Sequence, residues 1–353
     1  MTLLRPFVEE DNSDLLEIER SCPQGNEKIA EAMDKSPNAV ARYDMYDNWK
    51  VFVAVEDNQT AGWVGWTLKE DPAGKKYGYL TEVIVHPRFQ RHGIATELVK
   101  KVESDLRENG ASYVYCYIFE ENTASNAVFS EAGYQKMGIT QLQASSVYKK
   151  ADIAPEFQVR TAEKSEIPQI VELINSYNKD RAHFVPFTLE SFMYHLEKIP
   201  DYDQDNLWVA LSDGKIVACT GLWDLSVIAK VYYAREPASM RILGSVMNFI
   251  DHFTRMPKIP AENELFEIYY LTDYAFTPNE DEAMLNLLKR LNNFVLEENR
   301  YYLTSLITPD DPLVPVFKKC KPLVENWNIY AKSLDDGTVD LEPLYLDIRD
   351  FVM

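Results

Sequence analysis

Apolar and polar positions follow one order along this chain, and the order is written twice. TLLRPFVEEDNSDLLEIE opens with a short strand, a polar turn and a helix start; FQVRTAEKSEIPQIVELI, after the Pro-containing KKADIAPEF, repeats it. Each half continues into a hairpin, VFVAVEDNQTAGWVGW and then LWVALSDGKIVACTGLW. A polar turn there separates runs rich in Val, Trp and small residues, the pattern of a half-buried antiparallel pair. A further apolar strand leads through a proline into a long helix, TELVKKVESDLREN or EAMLNLLKRLNNFVLEEN, and a fifth strand follows, YVYCYIF or YYLTSLI. The repeat predicts two α/β domains of like topology, residues 1–150 and 151–353, joined near 151–156. YLDIRDFVM at the end reads as a closing strand.

Composition narrows the function. The net charge of -20 divides into -6 for residues 1–150 and -14 for the remainder. Nucleic-acid phosphate and anionic lipid would be repelled over the whole surface, whereas a cationic small molecule or basic peptide would not. The acidity also serves solubility. The N-terminal MTLLRPFVEEDNSD turns acidic where a signal peptide stays apolar, and no apolar run reaches the roughly 20 residues of a membrane span. A cytoplasmic protein with no membrane partner, monomeric or homodimeric, is the expectation. Cys22, Cys116, Cys219 and Cys320 form no CxxC pair, so reduced core thiols are expected and no metal or disulfide framework.

The chemistry concentrates in EVIVHPRFQRHGIATELV. Pro87 ends the strand because it cannot donate to a ladder, and the helix should start near Gly93. The first amides of a helix lack intrahelical partners and, with the dipole, suit a phosphate-bearing ligand. Gly93 lets a phosphate approach the backbone, Ala95 keeps the next approach small, Arg91 adds charge and Thr96 a hydroxyl. Neither GxxxxGK[ST] nor GxGxxG is present.

The pattern is Gln90-Arg91-His92-Gly93-Ile94-Ala95, and ENTASNAVFSEAGY downstream supplies Asn122, Phe129 and Gly133-Tyr134. In these two motifs the sequence resembles the GNAT (GCN5-related) N-acetyltransferase superfamily, well over residues 1–150 and in topology alone beyond. The resemblance implies two tandem GNAT domains, each a mixed, mostly antiparallel sheet flanked by helices. It implies acetyl-CoA as co-substrate. Backbone groups around Val83, Ile84 and Val85 would pair with the pantetheine arm, the amides of Arg91, His92, Gly93, Ile94, Ala95 and Thr96 would hold the pyrophosphate, and Asn122 with Phe129 would flank the arm. The expected reaction is direct attack on the thioester by a primary amine of a small molecule or peptide. Transfer to another nucleophile, or of a longer acyl chain, is the rival within enzymes.

Two positions depart from the family. Its usual acid tyrosine, seven residues after the asparagine, is Phe129, and the base carboxylate of the ribosomal-protein branch falls on Tyr117. Glu82, at the start of the cofactor strand, is then the candidate base, and Tyr117 a candidate acid or water-binding residue; His86 is expected to face solvent. Loss of the usual tyrosine also motivates another class, a non-catalytic acetyl-CoA-binding regulator or scaffold.

In the second half AFTPNEDEAMLNLLKRL stands opposite the phosphate turn, with Pro278 for Pro87 but Asn279-Glu280-Asp281-Glu282 in place of the glycine. Acids there satisfy the helix dipole and repel pyrophosphate, so this domain is expected to be degenerate. Asp310 and Phe317 keep the spacing of Asn122 and Phe129. YYLTDYAF, Trp208 and Trp223 fit core strands, or a cage for cationic groups. Some tandem family members bring a C-terminal segment to the active site, and this ending is similar to that of plant hookless-like members.

Overall fold

The structure, a computed structural model, describes residues 2–351 apart from Asn26, His252, Phe253 and Asp336. The first half holds strands β1 (Leu3–Pro6), β2 (Gln24–Gly25), β3 (Ala30–Asp34), β4 (Trp49–Glu56), β5 (Gln59–Glu70), β6 (Lys76–Val85), β7 (Tyr113–Phe119) and β8 (Gln135–Ser146), and helices α1 (Asn12–Ser21), α2 (Ile94–Glu108) and α3 (Thr123–Glu131). The second half holds β9 (Gln158–Thr161), β10 (Leu207–Ser212), β11 (Lys215–Trp223), β12 (Lys230–Arg235), β13 (Ile268–Phe276), β14 (Tyr302–Ile307) and β15 (Leu323–Ser333). Its helices are α4 (Ile167–Asn178), α5 (Leu189–Lys198), α6 (Ala238–Asp251), α7 (Asp281–Glu297) and α8 (Leu313–Phe317).

The repeated elements share local devices. Arg5 grips Asp11 through two hydrogen bonds of 2.6 Å, and Arg160 grips Glu166 through two of 2.8 Å. Each acid also accepts a backbone N–H three residues earlier, from Val8 or Glu163, so a strand-end arginine ties down the entry to the first helix of both halves. Both hairpins turn on two residues with positive φ, Asp57-Asn58 and Asp213-Gly214, as a type I′ turn requires. In α2, Leu98, Val99, Val102 and Leu106 recur at helical spacing and are fully buried, each contributing about 1.5–3 kcal/mol. Trp208, Trp223, Tyr270 and Phe276 are core residues of the second half, and the Trp223 indole N–H donates to the Pro200 carbonyl.

Twelve strands form one sheet in the order β1-β4-β5-β6-β7-β15-β8-β14-β13-β11-β10-β9. Within it β6 and β7 are parallel, as are β13 and β14, and the other pairs are antiparallel. The halves exchange their last strands: β15 lies between β7 and β8, and β8 between β15 and β14. A second sheet, β12-β3-β2, joins them again. Local periodicity predicted neither crossing.

The expected closing strand is absent. Residues 345–347 run without regular structure into a 3-10 turn at Ile348–Phe351. Side chains draw this segment inward: Asp347 pairs with Arg349 and Lys69, while Asp350 accepts from Lys69 and from the hydroxyls of Tyr46 and Tyr115. Val352 and Met353 lie outside the described residues.

Candidate active site

The site begins as a fault in the sheet. Glu82 has φ 60°, and the β5–β6 register slips between Trp63 and Gly65, so Glu82 and Val83 form a bulge. Bulges bend a strand and increase its twist. Pairing of β6 with β7 stops at Tyr79 and Tyr115, whereas β7 keeps its ladder with β15 as far as Phe119. A wedge therefore opens, with Val83, Ile84 and Val85 on one side and Tyr117 to Phe119 on the other. It is the core of a cavity of about 610 Å³ that also reaches Asn122, Phe129, β3 and Asp350. The Val85 carbonyl accepts from the Gln90 amide at 3.1 Å and from the Cys22 thiol at 3.3 Å.

Gln90, which opens the turn singled out in the sequence, lines this cavity, whereas residues 91–96 do not. Gly93 caps α2 with φ 83°, and a Cβ built on it would meet nothing within 4 Å. Arg91, also at positive φ, His92 and Gly93 are exposed, while Ile94 is buried and Ala95 and Thr96 are half-buried. Space, open backbone and a helix N-terminus coincide there. The His92 ring reaches Glu56 at 3.2 Å. Asn122 caps α3 by accepting from Ser125 N–H, and Phe129 is buried edge-on against Tyr134 with centroids 4.9 Å apart. His86 ends its strand by accepting from Arg88 N–H and stays partly open to solvent.

Glu82 is buried and heavily partnered. Lys35 Nζ lies 2.7 Å from its Oε1, Arg42 3.5 Å from the same oxygen, and the Tyr43 hydroxyl donates to Oε2. Burial raises its carboxyl pKa, but Lys35 and Arg42 outweigh this and hold it below the usual range. Lys35 also pairs at 2.7 Å with Glu19, whose carboxyl burial pushes up. Burial keeps the Tyr117 phenol far above its ordinary range, so it remains a proton-bearing donor. The sequence reading named Glu82 without its partners; Glu19, Lys35, Arg42, Tyr43 and Asp350 carry no local motif. Among the described residues no group of three or more His, Cys, Asp or Glu side chains is arranged to hold a metal, and no helix is long and apolar enough to cross a membrane.

The second half repeats the fault and closes it. Asp273, at φ 46°, sits where the β11–β13 register slips, and the hydroxyl of Tyr202 donates to it at 2.8 Å. In front of this bulge only about 20 Å³ is open, bounded by Arg181, His195 and residues 345–348. Arg181 pairs with Asp311 at 2.9 Å, and the hydroxyls of Tyr177 and Tyr274 donate to the same carboxylate. α7 starts on Glu280, Asp281 and Glu282 with no glycine, and Glu282 pairs with Lys319 at 2.6 Å.

The bulged strand, splayed from its parallel neighbour ahead of an open helix N-terminus, lies within the stretch that resembles the acyltransferases. Residues 13–134 match the acetyltransferase (GNAT) family. A probable N-acetyltransferase HLS1-like protein of Arabidopsis thaliana is 20% identical over 323 residues, covering 79% of this chain and 75% of that protein. A tandem GNAT protein from the clavulanic acid biosynthesis pathway superposes with a TM-score of 0.64 at 11% identity, covering 96% of this chain and 100% of its own. N-myristoyltransferase of Saccharomyces cerevisiae with bound myristoyl-CoA does so with a TM-score of 0.60 at 11% identity, covering 94% and 79%. The fold is thus that of the tandem GNAT proteins, a mixed and mostly antiparallel sheet flanked by helices.

Proposed function

We propose that this protein transfers an acetyl group from acetyl-CoA to a primary amine of a cationic acceptor in the cytoplasm. The observation that carries this reading is the wedge between β6 and β7, which reaches the start of the open Gly93 turn at Gln90 and widens into a chamber walled by carboxylates. Residues 1–150 carry the thioester, its pyrophosphate on the amides of Arg91 to Thr96 and its pantetheine arm along Val83 to Val85, beside Asn122 and Phe129. Residues 151–353 form a degenerate partner that walls the acceptor chamber and binds no cofactor.

The acceptor amine forms the new C–N bond as the C–S bond breaks; the amine gives up one proton and the departing thiolate gains one. Glu82, kept ionised by Lys35 and Arg42, draws the ammonium in and takes its proton through water. Tyr117 keeps its proton and supports the sulfur with a hydrogen bond, and the thiolate takes up the amine's proton by way of Glu82 and water. No covalent enzyme intermediate is formed.

A second reading, a non-catalytic acetyl-CoA-binding regulator, is favoured by one observation: Phe129, in place of the usual acid, is buried and has no proton to give. Incubation with acetyl-CoA and a panel of primary amines, following free thiol, separates the two. Amine-dependent thiol release supports the transferase; tight binding with no release across the panel supports the regulator.

A further inference from the structure

Seven carboxylates line the cavity (Glu19, Glu31, Glu82, Glu120, Glu121, Glu325 and Asp350) and no lysine, arginine or histidine is among its lining residues. Several have a partner behind them. Glu19 and Glu82 share Lys35, Asp350 has Lys69, and Glu120 accepts from the Asn326 amide. Glu31, on β3, and Glu325, on β15, are different: among the described residues no hydrogen bond or ion pair reaches either carboxyl. Glu31 stands on the three-stranded sheet and Glu325 on the twelve-stranded one, near enough for Glu325 to act on the Glu31 carboxyl, and each half of the protein supplies one.

A second observation lies deeper in the same cavity. Glu19 is 5% exposed, and its Oε2 has no hydrogen-bond donor although Oε1 is paired with Lys35. A buried carboxylate oxygen without a donor costs about 1–3 kcal/mol or more, and a ligand ammonium supplies what is missing. The cavity thus has two acidic stations, Glu19 with Glu82 near the splayed strand and Glu31 with Glu325 on β3 and β15.

We propose that the acceptor is a diamine or polyamine, whose reacting amine docks at Glu19 and Glu82 while a second ammonium bridges Glu31 and Glu325. This rests on the transferase reading and names the substrate class of that site. A monoamine fills only the first station. The second pair selects for a second charge, because a cation between two carboxylates removes their mutual repulsion and makes two charge-assisted hydrogen bonds.

The protonation of the pair fits this role. Burial and the neighbouring Glu325 push the Glu31 carboxyl up to about 8, and Glu325 is raised by burial and by Glu121. The other titratable groups around them include Tyr233, Tyr270 and Tyr302, which burial pushes up first; Glu31 adds to this at all three and Glu325 at Tyr233 and Tyr270. The pair therefore holds a proton at pH 7, and a dication displaces it.

The test is equilibrium calorimetry on the full chain loaded with CoA, titrated with α,ω-diamines of three to six methylenes and with the monoamines of equal length. The best diamine is expected to bind about 10- to 100-fold more tightly than its monoamine, the range of one charged hydrogen-bonded contact, and to release a proton at pH 7, read from heats in buffers of different ionisation enthalpy. In the double variant Glu31→Gln, Glu325→Gln the affinity ratio is expected to fall to near one and the proton release to vanish. Above pH 8 this variant should melt no lower than the native protein, because it removes a carboxyl that the fold prefers uncharged. Equal affinities for diamine and monoamine in the native protein, or an unchanged ratio in the double variant, overturn the proposal. Failure of the transferase reading looks different: diamines are preferred but no thiol is released.

Discussion

Glu82 and Asp273 stand at matching bulges, ahead of Pro87 and Pro278, and each accepts from a tyrosine, Tyr43 or Tyr202, wedged against a glycine of the neighbouring strand. A Cβ on Gly65 would collide with the Tyr43 hydroxyl, and one on Gly221 with that of Tyr202. The two halves thus keep the same backbone fault by the same packing. What stands in front of it differs: about 610 Å³ beside Glu82 against about 20 Å³ beside Asp273, and an open glycine turn against Glu280, Asp281 and Glu282. The bulge is maintained by core geometry. A ligand site needs, in addition, that nothing else occupy the space, and in the second half residues 345–348 and the Arg181–Asp311 pair occupy it.

The contrast can be broken from the phosphate side. Gly93→Glu places a side chain at φ 83° and a negative charge on the expected pyrophosphate; about 100-fold or more of acetyl-CoA affinity is expected to be lost, measured by calorimetry. The matching Glu280→Gly is expected to leave both affinity and stoichiometry as they were. Native affinity in the first variant would refute the placement, and a second bound equivalent in the other would refute the degenerate reading.

The bulge carboxylates sharpen it next. Glu82→Gln is expected to lower kcat/KM by about 10- to 100-fold, since a general base contributes at least this much. Asp273→Asn disturbs only His195 and Tyr202, so its kcat/KM per folded molecule is expected to be native, with the loss appearing in the melting temperature. Thiol-release kinetics at matched folded fractions distinguish the two.

A smaller effect comes from the joint between the halves. His183 of the second half stacks on Tyr77 of the first at 4.0 Å and shares a 2.7 Å hydrogen bond with Tyr113. Burial pushes its imidazole down to about 3. The fold then binds fewer protons than the unfolded chain below pH about 6.5, and stability falls as the pH is lowered from there toward 3. Allowing for the ring's partial contact with solvent, of order 1 kcal/mol is expected to be lost between pH 7 and 5 in urea unfolding, and His183→Gln should remove that share. The smallest expected effect is that of Arg5→Ala and Arg160→Ala, about 1 kcal/mol each and nearly equal, because the two clamps have one geometry. Clearly unequal melting shifts would show that the repeat is not matched energetically.

Much of this was legible in residues close together in sequence. Asp57-Asn58 and Asp213-Gly214 announced hairpins, Pro87 and Gly93 a strand-to-helix turn, and the acids at 280–282 a self-satisfied helix start, because turn and cap chemistry is local. The long-range pairings were not legible. Trp327 opposite Phe119, Tyr232 opposite Ala32 and the inward turn of Asp350 join residues some 200 to 300 positions apart, and no periodicity encodes which strand will meet which. The walls of the chamber are made in those meetings. Glu31 and Glu325 each look like an ordinary surface acid until β3 and β15 bring them to one cavity.

The exchange of β8 and β15 also sets a clock on biosynthesis. β7 is synthesised by residue 119, yet the strand that covers its free edge ends at residue 333. At ordinary elongation rates of 5–20 residues per second, roughly 10–40 s separate the two events. During that interval the nascent first half exposes an apolar strand edge, a template for pairing with other chains. The wedge and its acidic chamber are completed only when the last tenth of the chain arrives, so a truncated product carries the Gly93 turn without the far wall of the cavity.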